Sequence, residues 1–225
     1  MTTHEERIEH MVATGRVSRE EGERLRAAIE PDEAPWWKKL LDPVAHLSTG
    51  LALLLGSVFA LMSMGLGMGL GGRFDGALDV HVGGPPVPLV TAALEQLLAW
   101  PLVAAMAFAA ARLATTKPRF VDVFNAVGLA RLPLVLNGLV SVALMPKLPP
   151  SADTATMVKT MTEGTGLFRT LLVAGLTLPL IVIFFLVLVR GYRTATGLSG
   201  KRLTVSAVGF ILVAEVISKL TLSLL

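Results

Sequence analysis

Five long apolar runs, each broken by few or no charges, alternate along the chain with short links rich in Lys, Arg, Gly and Pro. They lie at about 44–70, 89–113, 121–145, 167–189 and 203–225. Each reaches the roughly 20 residues that a helix needs to cross a hydrocarbon core about 30 Å thick. A helix satisfies every backbone polar group within its own segment, so such runs are expected to be helical. The second and third runs each hold a charge and a proline, and one of them being re-entrant is the alternative. The pattern predicts an all-α polytopic membrane protein, a five-transmembrane-helix bundle with its N-terminus inside and its C-terminus outside, preceded by a small cytoplasmic helical hairpin.

The first thirty residues follow a different pattern. In "THEERIEHMVATGRVSREEGERLRAAIE" (3–30), Ile8, Met11 and Val12 recur at helical spacing. Gly15 suits the end of that helix. Ser18 and Glu21 are spaced as a capping box for a second helix with a thin stripe of Leu25 and Ile29, followed by Pro31. The segment is either a solvated hairpin or a docking and self-association module. Trp36, Trp37, Lys38 and Lys39 then form "WWKK", an interfacial anchor with aromatics at headgroup level and lysines toward an anionic leaflet. The expected organisation is therefore 1–35, a cytoplasmic hairpin and interfacial lead-in, and 44–225, a membrane domain.

Composition agrees with the pattern. Of 225 residues, 53% are hydrophobic and 16% charged, against about 25% charged in soluble domains. A net charge of +3 gives no case for nucleic-acid binding, and the absence of cysteine removes disulfide and thiol chemistry. The polar N-terminus is not expected to act as a cleavable signal peptide. The positions of the cations matter more than their sum. The N-terminal tail holds seven Lys/Arg, the link between runs two and three holds Arg112, Lys117 and Arg119, and the link between runs four and five holds Arg190, Arg193, Lys201 and Arg202. The first link offers only Arg73, and the third offers Lys147 and Lys159 with Arg169 at its border. Every link fits an N-in, C-out chain with five spans. The glycines Gly65, Gly67, Gly69 and Gly71 at the end of the first run either permit close helix packing or mark a loosely wound end.

Four ionisable residues fall inside runs: Glu95, Arg131, Glu215 and Lys219. Arginine at a span centre costs about 2.5–3.5 kcal/mol on insertion scales, so it usually faces the bundle interior and pairs. At 1.5 Å per residue, Arg131 lies roughly 15 Å deep and Glu95 about 9 Å from its end of the second run. Glu215 and Lys219 are four apart on one helix face. Arg131 is expected to meet Glu95 first and Glu215 second, as a buried ion-pair cluster. A polar site for an ion, proton or lipid headgroup is the functional alternative, and snorkelling suits Lys219.

Catalytic signatures are missing: the sequence holds no HExxH, GxSxG, P-loop or CxxC motif. His4, His10, His46 and His81 are scattered. No enzyme activity, cofactor or metal is expected.

The third run, "VDVFNAVGLARLPLVLNGLV", resembles the Yip-domain family of Ypt/Rab-GTPase-interacting membrane proteins and their bacterial relatives. The family's hallmark is a glycine followed a few residues on by a proline in an apolar span, places held here by Gly128 and Pro133. The ending "LVRGYRTATGLSGKRLTVSAVGFILVAEVI" is similar too. Leu129 stands where a tyrosine often follows the motif glycine. "GRVSREEGERL" resembles a short bacterial helical element of the form G-x-[IV]-S-x-E-E-x-x-x-L. Together these resemblances imply a bacterial inner-membrane protein; its leading reading is a non-enzymatic membrane scaffold or adaptor. Its implied partners are the lipid bilayer and a protein bound through residues 1–35, with homo-oligomerisation left open. A small transporter or accessory permease subunit is the competing reading.

Overall fold

The computed structural model describes residues 4–23, 35–74, 76, 80–82, 84–114, 116–145 and 154–223. The chain divides into two compact units, Met1–Trp36 and Trp37–Leu225.

In the first unit, α1 runs over His4–Ala13. It stops at Gly15, whose φ of 67° requires glycine, and the Arg16 and Val17 N–H groups return to the Met11 carbonyl. The Ser18 N–H donates to Glu21 Oε2 at 3.0 Å while the Glu21 N–H donates to Ser18 Oγ at 3.2 Å. This is the reciprocal capping box read from the sequence. The Ser18 N–H and hydroxyl hold the Glu21 carboxyl below the usual carboxylate range. Residues 19–23 are helical. A β-carbon at Gly22 would stand 2.5 Å from Val12 Cγ2, so glycine allows the two segments to touch. Leu25, Ile29 and Pro31 lie outside the described residues.

The second unit is a helical bundle. After a short α2 (Trp36–Leu41), Pro43–Ala45 form a turn of 3-10 helix. The spans are α3 (Thr49–Leu70), α4 (Leu89–Leu113), α5 (Phe120–Leu144), α7 (Gly164–Thr196) and α8 (Gly200–Ser223), with a short α6 (Thr154–Thr162) before α7. Five helices are thus long and apolar enough to cross a membrane, and the chain is an integral membrane protein. The second and third runs are both full-length helices rather than re-entrant segments.

Boundaries move for local reasons. The first span starts at Thr49, not 44, because Ser48 caps it, its Oγ accepting from the Leu51 N–H at 3.3 Å. The fourth is 33 residues long, extending past Arg190 and Arg193 until Gly197 at φ 70° ends it. Its cations ride on a helix rather than a loop.

The centre of the bundle is α5. In its most apolar stretch 61% of residues are buried, against 22–39% in the other four spans. It packs most extensively on α7 and α3, and the second half of α4 also leans on it, while α8 packs chiefly on that second half. Small residues permit these approaches: Ala104, Ala107, Ala111 and Ala130 are wholly buried, and a β-carbon at Gly191 would come to 3.2 Å from Ala126 Cβ. The glycines at the end of α3 contribute less. A β-carbon at Gly65 or Gly69 would meet nothing within 4 Å, and Gly71 serves as the left-handed C-cap at φ 67°. The close contact on α3 is at Gly56 instead.

Candidate functional site

Span α4 is not a uniform helix. Pro101 cannot donate to the backbone ladder, and residues Leu98–Leu102 adopt a π-helical turn. The Val103 N–H, which in an α-helix would bond to the Ala99 carbonyl, goes to the Trp100 carbonyl. The Ala99 oxygen is thereby left for another donor, and Arg131 NH1 supplies it at 2.8 Å. Arg131 NH2 donates to Gln96 Oε1 at 3.0 Å, and the guanidinium carbon lies 5.5 Å from the Phe74 ring centroid. Arg131 is thus held, 2% exposed, by an amide, a backbone carbonyl and an aromatic face, and its Nε has no partner among the described residues.

The expected Arg131–Glu95 pair is not formed. Glu95 instead takes Arg73, whose NH2 lies 2.6 Å and Nε 2.8 Å from Oε1, and its Oε2 accepts the Phe74 N–H at 3.3 Å. Arg73 and Phe74 belong to the link between α3 and α4. That link folds back through an antiparallel bridge, Arg73 N–H to His81 O at 2.7 Å and His81 N–H to Arg73 O at 2.9 Å. Phe74, 1% exposed, is inserted against α5, where a β-carbon on Gly138 would come within 3.3 Å of its ring. Glu95 and Gln96 are neighbours in sequence, yet about 100° apart around the helix, so one serves the link and the other serves α5. Among the described residues no carboxylate pairs with Arg131. Gln96, Phe74 and Arg73 were not singled out as partners; the signal for Arg73 was its being the lone cation of its link.

The cavity beside Arg131 is lined by Ala99, Val103, Val127, Phe184, Leu188 and Ile211. It holds about 10 Å³, the space of roughly one water. Among the described residues no group of three or more His, Cys, Asp or Glu could hold a metal.

On the other side of the π-turn, the Trp100 indole donates from Nε1 to the Phe124 carbonyl at 2.8 Å and stacks, tilted, on the Phe124 ring at 4.4 Å. Its ring lies directly on two glycines: a β-carbon would come to 2.7 Å from it at Gly128 and to 2.9 Å at Gly56. A glycine followed five residues later by Pro133 thus stands in a buried central span that carries no side chain where an aromatic ring must pass. A Yip1 domain matches residues 30–218. The chain belongs to the Yip1 domain family. No curated protein and no solved structure matches it at a significant level.

The remaining candidate residues sit elsewhere in the chain. Glu215 and Lys219 are half-buried on α8, and the Ser218 hydroxyl between them donates to the Glu215 carbonyl at 2.9 Å. The polar contacts of Arg131 are those to α4, so these two residues stand apart from it. Pro133 is buried inside α5, where it withdraws a donor from the Leu129 carbonyl. Trp36 and Trp37 are exposed, with Lys38 Nζ 5.6 Å from the Trp37 ring, and Lys39 is exposed beside them. Two ties at the opposite end were missed. The Tyr192 hydroxyl donates to the Ala107 carbonyl at 3.2 Å and meets Ser206 Oγ at 2.6 Å, joining α7, α4 and α8. Thr194 donates to Asp42 Oδ2 at 2.6 Å.

Proposed function

We propose that this Yip1-domain protein is a non-enzymatic integral membrane scaffold or adaptor, N-in and C-out in a bacterial inner membrane, that presents residues 1–35 to a protein partner. The observation that supports this best is the setting of Arg131. Its hydrogen bonds are internal, and the space beside it takes about one water (about 10 Å³). A transport path would need a continuous polar cleft reaching that depth. The buried polar side chains then act as struts that fix which spans touch, and the anchors Trp36, Trp37, Lys38 and Lys39 hold the lead-in at the interface.

The test is affinity purification of the full chain and of a chain lacking residues 1–35 from native membranes in mild detergent. The reading expects a stoichiometric partner with the full chain, its loss on truncation, and membrane insertion unchanged. Reporter fusions at Asp79, Lys117, Asp153, Ser199 and Leu225 should read out, in, out, in, out. A cytoplasmic signal at Leu225 overturns the orientation. Solute flux through the purified protein in vesicles, abolished by Arg131→Ala, would replace the scaffold reading with the transporter.

A further inference from the structure

A groove of about 620 Å³ lies on the lipid-facing surface between the second half of α4 and the first half of α8. Its volume falls within the roughly 300–1,000 Å³ usual for small-ligand sites. Its lining includes the small residues Ala109, Ala110 and Gly209 and the apolar side chains of Leu113, Val205 and Val213, with Ser206 and Phe210 buried beneath. Gly209 leaves this lining open: a β-carbon on it would meet no atom within 4 Å. Its rim, at the first turn of α8, carries Lys201 and Arg202, both exposed. Among the described residues neither cation forms an ion pair, whereas Arg73 and Arg119 each have a carboxylate.

We propose that this groove binds one acyl chain of an anionic phospholipid, with the headgroup phosphate held by Lys201 and Arg202. Two observations select that occupant. From Lys201 to Val213 the groove wall is about 18 Å long at 1.5 Å per residue, close to the ~15 Å depth of one leaflet of a 30 Å core. Its apolar trough thus fits a chain lying along the helix axis. The unpaired cations stand only at the end where a headgroup would be, and no cation lines the deeper part. The bound lipid would fill the seam where α8, which has little contact with α7, depends on α4.

The test uses purified full-length protein, titrated with phosphatidylglycerol and with phosphatidylcholine of the same chains, binding being read by native mass spectrometry. The parent should hold phosphatidylglycerol on the order of tenfold or more tightly, since each juxtamembrane cation contributes about fivefold near an anionic headgroup. Lys201→Gln with Arg202→Gln should abolish the preference and leave weaker, equal binding of both lipids. Gly209→Leu should weaken both, because it adds a side chain to the lining at a position where a β-carbon meets open space, and should leave thermal unfolding in lipid-free detergent unchanged. Equal binding of the two lipids by the parent, a preference that survives neutralisation, or unchanged binding in Gly209→Leu would overturn the proposal. So would a dimer that Gly209→Leu dissociates, since the groove would then belong to a second copy of the chain.

Discussion

Spans α5 and α7 pack against each other more extensively than any other pair, yet they are built on opposite rules. The more apolar of the two, α7, has a mean hydropathy of 3.0 in its core stretch and is only 22% buried there; α5 has 1.8 and is 61% buried. In water the order would be reversed. Here lipid is as apolar as leucine and attracts side chains no less than the interior does. Leu178, Val182 and Phe185 therefore face outward, while Asn125, Arg131, Asn137 and Ser141 are turned in. The interior is the only place at that depth where a polar group finds a partner: Asn125 donates to the Thr49 carbonyl at 3.1 Å, and Ser141 to Asn137 Oδ1 at 3.3 Å. Apolar surface puts a helix in the membrane; polar and small residues decide its neighbours.

That contrast can be broken from the inside. Arg73→Ala strands the buried Glu95 carboxylate, and losing one partner of such a pair costs on the order of 3 kcal/mol. Unfolding in mixed micelles should show it, and Glu95→Gln in the same background should recover a part. Arg131→Ala removes two hydrogen bonds and leaves the Gln96 oxygen and the Ala99 carbonyl without a donor, an expected loss of about 2–3 kcal/mol. A double-mutant cycle should find coupling between Arg131 and Gln96, and none above about 0.5 kcal/mol between Arg131 and Glu95. Strong coupling in the second pair would contradict the geometry. Gly128→Ala, driven against the Trp100 ring, should cost roughly 1–3 kcal/mol, while Gly65→Ala, facing open space, should not. The smallest effect belongs to the lipid face. Leu178→Ala, at a position 61% exposed, should change stability by less than about 0.5 kcal/mol. A large loss there would mean that α7 is covered by protein rather than lipid.

Hydropathy and loop charge made the five spans legible, because crossing a bilayer is a demand on composition that the run itself must meet. The capping box of Ser18 and Glu21 was legible for the same reason: both halves lie within four residues. Pairings were not. Arg131 and Glu95 sit on neighbouring spans joined by a short connection, and neighbourhood and depth are readable in the sequence, but azimuth is not: Glu95 and Gln96 point about 100° apart. The true donor to Glu95, Arg73, arrives from a link whose fold depends on Phe74 finding a slot beside Gly138. That slot is formed far along the chain from Phe74 and has no local signature. The proline in "LAWPL" marked an irregularity without saying which carbonyl it would release.

The turn around Pro101 amounts to a single residue inserted into an otherwise regular rod. It gives α4 two independent phases. The half before it meets α3, the folded link through Glu95 and α5 through Gln96, and the half after it packs on α5 and α8. Deleting Ala99 would restore continuous winding and swing one half by about 100° relative to the other. Glu95 would then turn away from Arg73, or the alanine face would turn away from α8. The bundle's two ends are tuned separately, and that one residue is the coupling that lets a single rod serve both.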